Sequence, residues 1–243
     1  KDVNVRKAIQ CAFDFKTVLA AAGGTNSGQY ANSTIPPSIK TGYRNSTVCE
    51  RDVIKNPEAQ IAKAKAYLAK ASDKKTTLRL AYRDKGVEPL RAAAVEQALK
   101  AAGFTVIMDK YPGSGYYSTV SKRGGDKEPD IVQTSWAFDW SAASGIVYAL
   151  FDARTMTSTD AKSNYSRGNF ADLQKLFAQA DQSAPAAQEK ILGDIEQKLI
   201  QDKAAHISIY FERSHMMSGS KLGGVQIDNG WGDLSVIGAY VKK

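Results

Sequence analysis

The chain has little of what catalytic and metal sites are usually built from. Among its 243 residues there are two cysteines, Cys11 and Cys49, and two histidines, His206 and His215. Two cysteines this far apart exclude a cysteine-rich zinc module and a CxxC redox pair. HExxH is absent, and the two histidines, on a predicted strand and the loop beyond it, lack the spacing of a metal pair. The nucleophile elbow G-x-S-x-G is missing, as is a phosphate loop ending in Gly-Lys-Ser/Thr. Gly113-Ser114-Gly115 follows a predicted strand, but Ser118 stands where a dinucleotide fingerprint needs its third glycine, so this stretch is assigned to a loop. A triad assembles in space and leaves no obligatory spacing, but no motif points to one. These absences predict a protein that is not an enzyme and carries no metal and no cofactor.

Long apolar runs are also missing. The most apolar stretch, residues 140–151, is shorter than the ~20 helical residues needed to cross a bilayer. The longest uncharged stretch, residues 17–39, is rich in Gly, Asn, Ser and Pro. With no initiator Met, cleavable leader or tail signal, the chain is expected to be a mature form or an excised piece.

Hydrophobic residues make up 43% and charged residues 24%, which is enough for one large core or two small ones. The net charge of +8 raises the question of nucleic acid. The lysines are dispersed along helical segments (Lys63, Lys65, Lys70, Lys100, Lys190, Lys198), each near Ala, Glu or Gln, as on a solvated helix face. Neither zinc-finger spacing nor the aromatic-glycine signature of an RNA-recognition sheet occurs, so no nucleic-acid partner is expected. The cysteines are either two buried thiols or one disulfide, and a disulfide would mark an exported, oxidising setting. The N-x-S/T triplets at Asn32, Asn45 and Asn164 matter only in a eukaryotic secretory pathway.

Periodicity predicts a helix over residues 5–22 stopped by Gly23-Gly24, then a turn-rich stretch to residue 56 around Pro36-Pro37. A helix with Asn56 as N-cap and Pro57 in its first turn follows. Residues 77–82 alternate as a strand, 89–102 form a helix capped by Gly103, and 104–108 form a second strand, which together make a right-handed βαβ unit. Residues 130–134 are a third strand, 170–180 and 185–203 are helices, and 206–211 are again a strand. Short strands are expected near 225–227 and 236–241.

The candidate site is residues 130–140, DIVQTSWAFDW. An apolar strand gives way to Trp136, Asp139 and Trp140, an anion between two aromatic faces at a strand's carboxyl end. Open α/β sheets bind ligands at that end. Indole faces attract cations, and a carboxylate adds charge-assisted hydrogen bonds, so an apolar body bearing a positive group would fit. The alternative is a pair of core tryptophans and an aspartate capping the next helix. Tyr116 and Tyr117, in a Gly-flanked loop, are placed to line the same cleft.

The order of segments resembles the family 5 extracellular solute-binding proteins, the dipeptide, oligopeptide and nickel-binding components of ABC importers. The resemblance rests on DVNVRKAIQCAFDFKTVL, STIPPSIKTGY, NPEAQIAKAKAYLAKA, TLRL, AAVEQALKAAGFTV, SWAFDW, NYSRGNFADL and HISIYF, colinear over nearly the whole chain. Two departures stand out: Phe15 replaces the usual basic residue after Asp14, and Ser141-Ala142 replace the usual Asp-Pro after the Trp-x-x-Asp element.

The resemblance implies an α/β fold, a periplasmic-binding-protein-like type II lobe with a mixed sheet flanked by helices. Residues 1–205 would be the C-terminal lobe and 206–243 a return segment toward an N-terminal lobe outside this chain. It further implies capture of a peptide or similar amine-bearing solute, with Asp139 on the ligand's ammonium, Trp136 packed on the ligand, and Trp140, Tyr116, Tyr117 and Asn164 as further contacts. The implied partner is a membrane permease. The implied location is the extracellular face of the bacterial cytoplasmic membrane or the periplasm, with a lipid anchor on the N-terminal part. That compartment favours a Cys11–Cys49 disulfide. The rival readings are a secreted hydrolase using His206 or His215, and a protein-interaction module working through the return segment.

Overall fold

The computed structural model describes residues 2–73, 75–228 and 233–242. In chain order the elements are α1 (Val3–Ala12), α2 (Phe15–Ala21), β1 (Gly28–Tyr30), α3 (Ile61–Lys70), β2 (Thr77–Asp84), α4 (Glu88–Ala101), β3 (Thr105–Pro112), α5 (Tyr116–Val120), β4 (Ile131–Val132), α6 (Ser144–Phe151), α7 (Ala171–Asp181), α8 (Pro185–Gln201) and β5 (Tyr210–Glu212). Four short strands follow: β6 (Leu222–Gly223), β7 (Gln226–Asp228), β8 (Asp233–Ser235) and β9 (Tyr240–Val241).

The predicted βαβ unit is present. β2 pairs in parallel with β3 from Thr77↔Thr105 to Asp84↔Pro112, and with β4 at Leu80↔Ile131 and Ala81↔Val132. The sheet order is β3-β2-β4. Parallel strands need covered faces. Leu78 and Leu80 point into a core formed with α1, α2, α3 and α4, while Ala81 on the other face packs on Tyr116 and Val120. A second core joins α6, α7 and α8 around Phe177, Ile146 and Leu192. Antiparallel pairing occurs in separate ladders, β1 with β5, β6 with β9 and β7 with β8.

The single helix expected over 5–22 is broken in two. Phe13 is extended and Asp14 caps α2, its carboxylate accepting from Thr17 N at 3.0 Å. Two residues apart on one helix, Phe13 and Phe15 would point in widely different directions. The break lets both rings enter the same core at 5.2 Å between centroids. The expected start of the next helix at Pro57 is also displaced, to Ile61. Pro57 O is already taken by Phe15 N at 2.9 Å, and Gln60 N donates to Cys11 O at 2.8 Å, so these backbone groups serve tertiary bonds. Gly113–Gly115 does lead into a helix, the five-residue α5, with Gly115 at φ 75° before it. The strand expected from His206 joins a ladder only at Tyr210. Helix α6, which went unassigned in the sequence, lies in its most apolar run.

Cys11 and Cys49 form a disulfide with 4.9 Å between Cα atoms. It fastens α1 to the largely irregular stretch between α2 and α3. Asn32 in that stretch is buried, bonded to Asn45 and accepting from Tyr43 Oη at 3.0 Å. Of the dispersed lysines, Lys63 pairs with Glu50, Lys100 with Glu96 and Lys198 with Asp202.

Where the chain leaves α8, a buried polar knot holds it. Glu196 is fully buried, and its carboxylate accepts from Ser33 Oγ and Thr34 N. Thr34 Oγ1 lies 2.9 Å from His206 Nε2 and 3.0 Å from Ser208 Oγ. Burial lowers the His206 pKa from 6.5 to about 4. The unfolded chain therefore binds this proton more readily, and stability is lost as pH falls from 6.5 toward 4, by about 3 kcal/mol. Glu196, pushed up by burial, contributes with the opposite sign. Urea unfolding of the native chain and His206→Gln across this pH range isolates the imidazole: the native chain should lose that much more. Parallel curves would refute the assignment.

Candidate functional site

The carboxyl ends of β2, β3 and β4 open onto one rim. The chain leaving β4 is first held from below. Gln133, buried, donates through Nε2 to Glu88 O at 3.1 Å. The Tyr116 hydroxyl lies 2.7 Å from Gln133 O and 3.0 Å from Ala81 O, sharing its one proton between β2 and the residue that follows β4. Burial holds the Tyr116 phenol far above its ordinary pKa, so it remains a donor.

From this base the Trp136–Trp140 segment rises to the surface. Trp136 is half-buried against the α6–α7–α8 core, with Nε1 donating to Gly145 O at 3.4 Å. Trp140 is 55% exposed, and its Nε1 donates to Ser144 Oγ at 3.0 Å. Gly145 permits this approach, because a Cβ there would stand 2.7 Å from Trp140 O and 3.3 Å from its ring. Asp139, between the indoles, is exposed, and among the described residues its carboxylate has no hydrogen bond or ion pair. It does not cap α6. Glu189 of α8 does, accepting from Ala143 N at 2.7 Å and Ser144 N at 3.2 Å. The helix-capping alternative for Asp139 is thereby removed.

The remaining candidates divide. Tyr117 is half-buried on the same rim, with its hydroxyl 3.3 Å from Ser135 Oγ and its ring 5.9 Å from that of Tyr165. Tyr116 is 1% exposed and Asn164 is fully buried, so both stand behind the surface. Asn164 shapes the turn that presents Tyr165, donating to Gly168 O at 3.3 Å and accepting from Ser166 Oγ at 2.7 Å. Tyr116 and Asn164 both lie beneath the rim surface rather than on it.

Three residues at the rim were not singled out in the sequence: Arg83, Glu88 and Tyr165. Arg83, next to last in β2, lies over the Tyr117 ring at 5.3 Å, and Glu88 accepts from it. Glu88's pairing keeps the Arg83 guanidinium pKa above its usual value. The alternation of TLRLAYR already places Arg83 on the face opposite Leu78 and Leu80. Nothing local marks Glu88 or Tyr165.

Nowhere among the described residues do three or more His, Cys, Asp or Glu side chains gather to hold a metal. His206 meets the hydroxyls of Thr34 and Ser208, while the Glu196 carboxylate is taken by Ser33 Oγ and Thr34 N. His215 donates to Asn26 O at 2.7 Å. No described helix is long and apolar enough to cross a membrane.

The carboxyl edge of the parallel sheet thus presents Trp136, Trp140, Tyr117 and the exposed carboxylate of Asp139. Residues 1–158 match the bacterial extracellular solute-binding proteins, family 5 (middle region), and the chain belongs to that family. Solved structures share the fold over the whole chain. The clavulanic acid biosynthesis oligopeptide binding protein 2 superposes on 100% of this chain and 44% of its own, with TM-score 0.80 at 18% identity. The murein tripeptide binding protein of Escherichia coli covers 100% and 45%, with TM-score 0.79 at 20% identity. An oligopeptide-binding protein from Bacillus subtilis, solved with a nonapeptide, covers 100% and 48%, with TM-score 0.75 at 20% identity. The chain thus spans under half the length of these proteins, and the matches are to binding proteins rather than enzymes. Comparison with curated protein sequences finds no match.

Proposed function

We propose that this chain is one lobe of the ligand-capturing component of an ABC importer, and that it takes peptides through a free amino group. The observation that carries the reading is Asp139, an exposed carboxylate without a partner among the described residues, set between Trp136 and Trp140 at the carboxyl edge of a parallel sheet. An exposed, unpartnered anion retains its full capacity for charge-assisted hydrogen bonds to an ammonium group. Trp136 and Trp140 supply apolar surface beside it, and Tyr117 extends that surface along the rim.

In this reading residues 1–205 are the lobe and 206–243 return to a second lobe of a longer polypeptide; residues 229–232 and 243 of that segment lie outside the described set. Support comes from the apolar side chains the segment leaves exposed: Met217 at 90%, Ile237 at 90%, Val236 and Val241 at 71%. A second lobe packed on this segment would cover these side chains. Closure of two lobes on the ligand is a hinge-type population shift, with delivery to a membrane permease. The protein would work outside the cytoplasmic membrane, held there by a lipid on its N-terminal part. Calorimetry with a tripeptide tests the reading: tight binding is expected with both lobes present and at least 100-fold weaker binding with this chain alone, since half the enclosing surface is absent. Equal affinity, or none in either form, would overturn it.

A further inference from the structure

We propose that Glu88 is a positioning residue that ties the ligand wall to β5, the strand by which the chain leaves the lobe; the functional side of this rests on the two-lobe reading above. Glu88 opens α4 and is 7% exposed. One of its oxygens, Oε1, accepts from Arg83 Nε at 3.0 Å and from Arg83 Nη2, and the same oxygen lies 3.7 Å from Arg91 Nη2. Each arginine then reaches a different part of the molecule. Arg83 lies over Tyr117, whose hydroxyl meets Ser135, four residues before Asp139. Arg91 donates through Nη1 to Tyr210 Oη at 2.6 Å and lies over that ring at 5.7 Å. The Glu88 backbone adds a second hold, its carbonyl accepting from Gln133 at the end of β4.

Two guanidinium groups, with side chains 19% and 11% exposed, therefore share one nearly buried anion. Neither cation has a second carboxylate among the ion pairs of the described residues. With little water to screen them, they repel once that charge is removed, and each must swing toward solvent. Arg83 would leave the Tyr117 face, and Arg91 would leave Tyr210. The carboxylate thus sets the rotamers of both arginines at once, so a shift at β5 is felt at the wall. Tyr117 and Tyr210 share no hydrogen bond or ring contact among the described residues, and residues without shared partners act additively when substituted. Coupling between them is the signature of the carboxylate.

The test is a double-mutant cycle in the 243-residue chain. Tyr117→Leu, which removes the ring under Arg83, and Tyr210→Phe are made singly and together, in the native background and in Glu88→Gln, and the folding equilibrium constant is read from urea unfolding. In the native background the double variant should depart from the product of the single effects by about three-fold or more, and in Glu88→Gln by less than about two-fold. A side chain that merely adds stability would lower all four constants and leave the departure unchanged. Should Glu88→Gln not fold, Glu88→Asp serves: the shorter carboxylate keeps the charge, cannot span both arginines, and should abolish the coupling. Additivity in the native background, or equal coupling without Glu88, overturns the proposal. In the two-lobed protein Tyr210→Phe should weaken tripeptide binding by about three-fold. If the native two-lobed protein binds no peptide, the peptide reading fails, while the unfolding cycle still decides the role of Glu88.

Discussion

Removing the Cys11–Cys49 disulfide, by reduction or as Cys11→Ala/Cys49→Ala, should lower the unfolding free energy by about 4 kcal/mol, the loop-closure entropy expected for a separation of 38 residues. The effect is large because of what the bridge closes. The stretch between α2 and α3 has a three-residue 3-10 helix (Gly24–Asn26), one three-residue strand and otherwise turns and irregular backbone, so little local hydrogen bonding limits its freedom once unfolded. In the folded chain it supplies Ser33 and Thr34 to the buried Glu196 and Arg44 to Asp194. Arg51 reaches Phe13 O at 2.9 Å. Cys49 and Glu50, at φ 53° and 57°, are the central pair of a tight turn bridged by Val48 and Arg51. That conformation disfavours side chains other than Asn, Asp or Gly. Urea unfolding with and without reductant measures the effect. A midpoint that does not move would mean that packing alone holds the stretch, and that the bridge contributes nothing through the unfolded state.

The second large effect is expected at Asp139. In the two-lobed protein, Asp139→Ala should weaken binding of a peptide with a free amino terminus by about 2–5 kcal/mol, the range for truncating one partner of a buried charge pair. The carboxylate is exposed in this lobe, and its contribution grows when closure excludes water from around it. An N-acetylated peptide should already bind weakly and lose little more on Asp139→Ala, because the ammonium partner is gone. Calorimetry on the four combinations of protein and peptide gives the coupling directly. Equal losses for both peptides would show that Asp139 serves the fold or the loop and does not meet the amine. Trp140→Ala is the useful companion: it removes apolar surface from both peptides alike and should not discriminate between them.

How much of this was legible beforehand differs between local and assembled features. The βαβ unit was readable because alternation in TLRLAY and the 3.6-residue pattern before Gly103 are local signals that burial reinforces. The broken first helix was not readable: the periodic pattern continues across Phe13 and Asp14, and only the core that receives both Phe13 and Phe15 favours the interruption. Pro57 and Asn56 carry good helix-start chemistry, yet their backbone groups were claimed by tertiary bonds. At the site, Trp136, Asp139, Trp140 and Tyr117 were marked by residue type and by their place after a strand. Tyr116 carried the same markings, Asn164 entered only through the family resemblance, and both lie buried beneath the rim. Arg83, Glu88 and Tyr165 are unremarkable in sequence and become neighbours of the wall only when β2, α4 and the turn after Asn164 converge on the sheet's carboxyl edge.

The sequence by itself determined the class of fold, the family and the candidate anion between two indoles, because periodicity, caps and segment order are written within short stretches of chain. The tertiary structure alone decided that Glu189 rather than Asp139 caps α6, which aromatic side chains face outward, and that one carboxylate is shared by two arginines. Those outcomes depend on which distant groups satisfy each buried hydrogen bond and charge, and such pairings exist only once the chain has closed on itself.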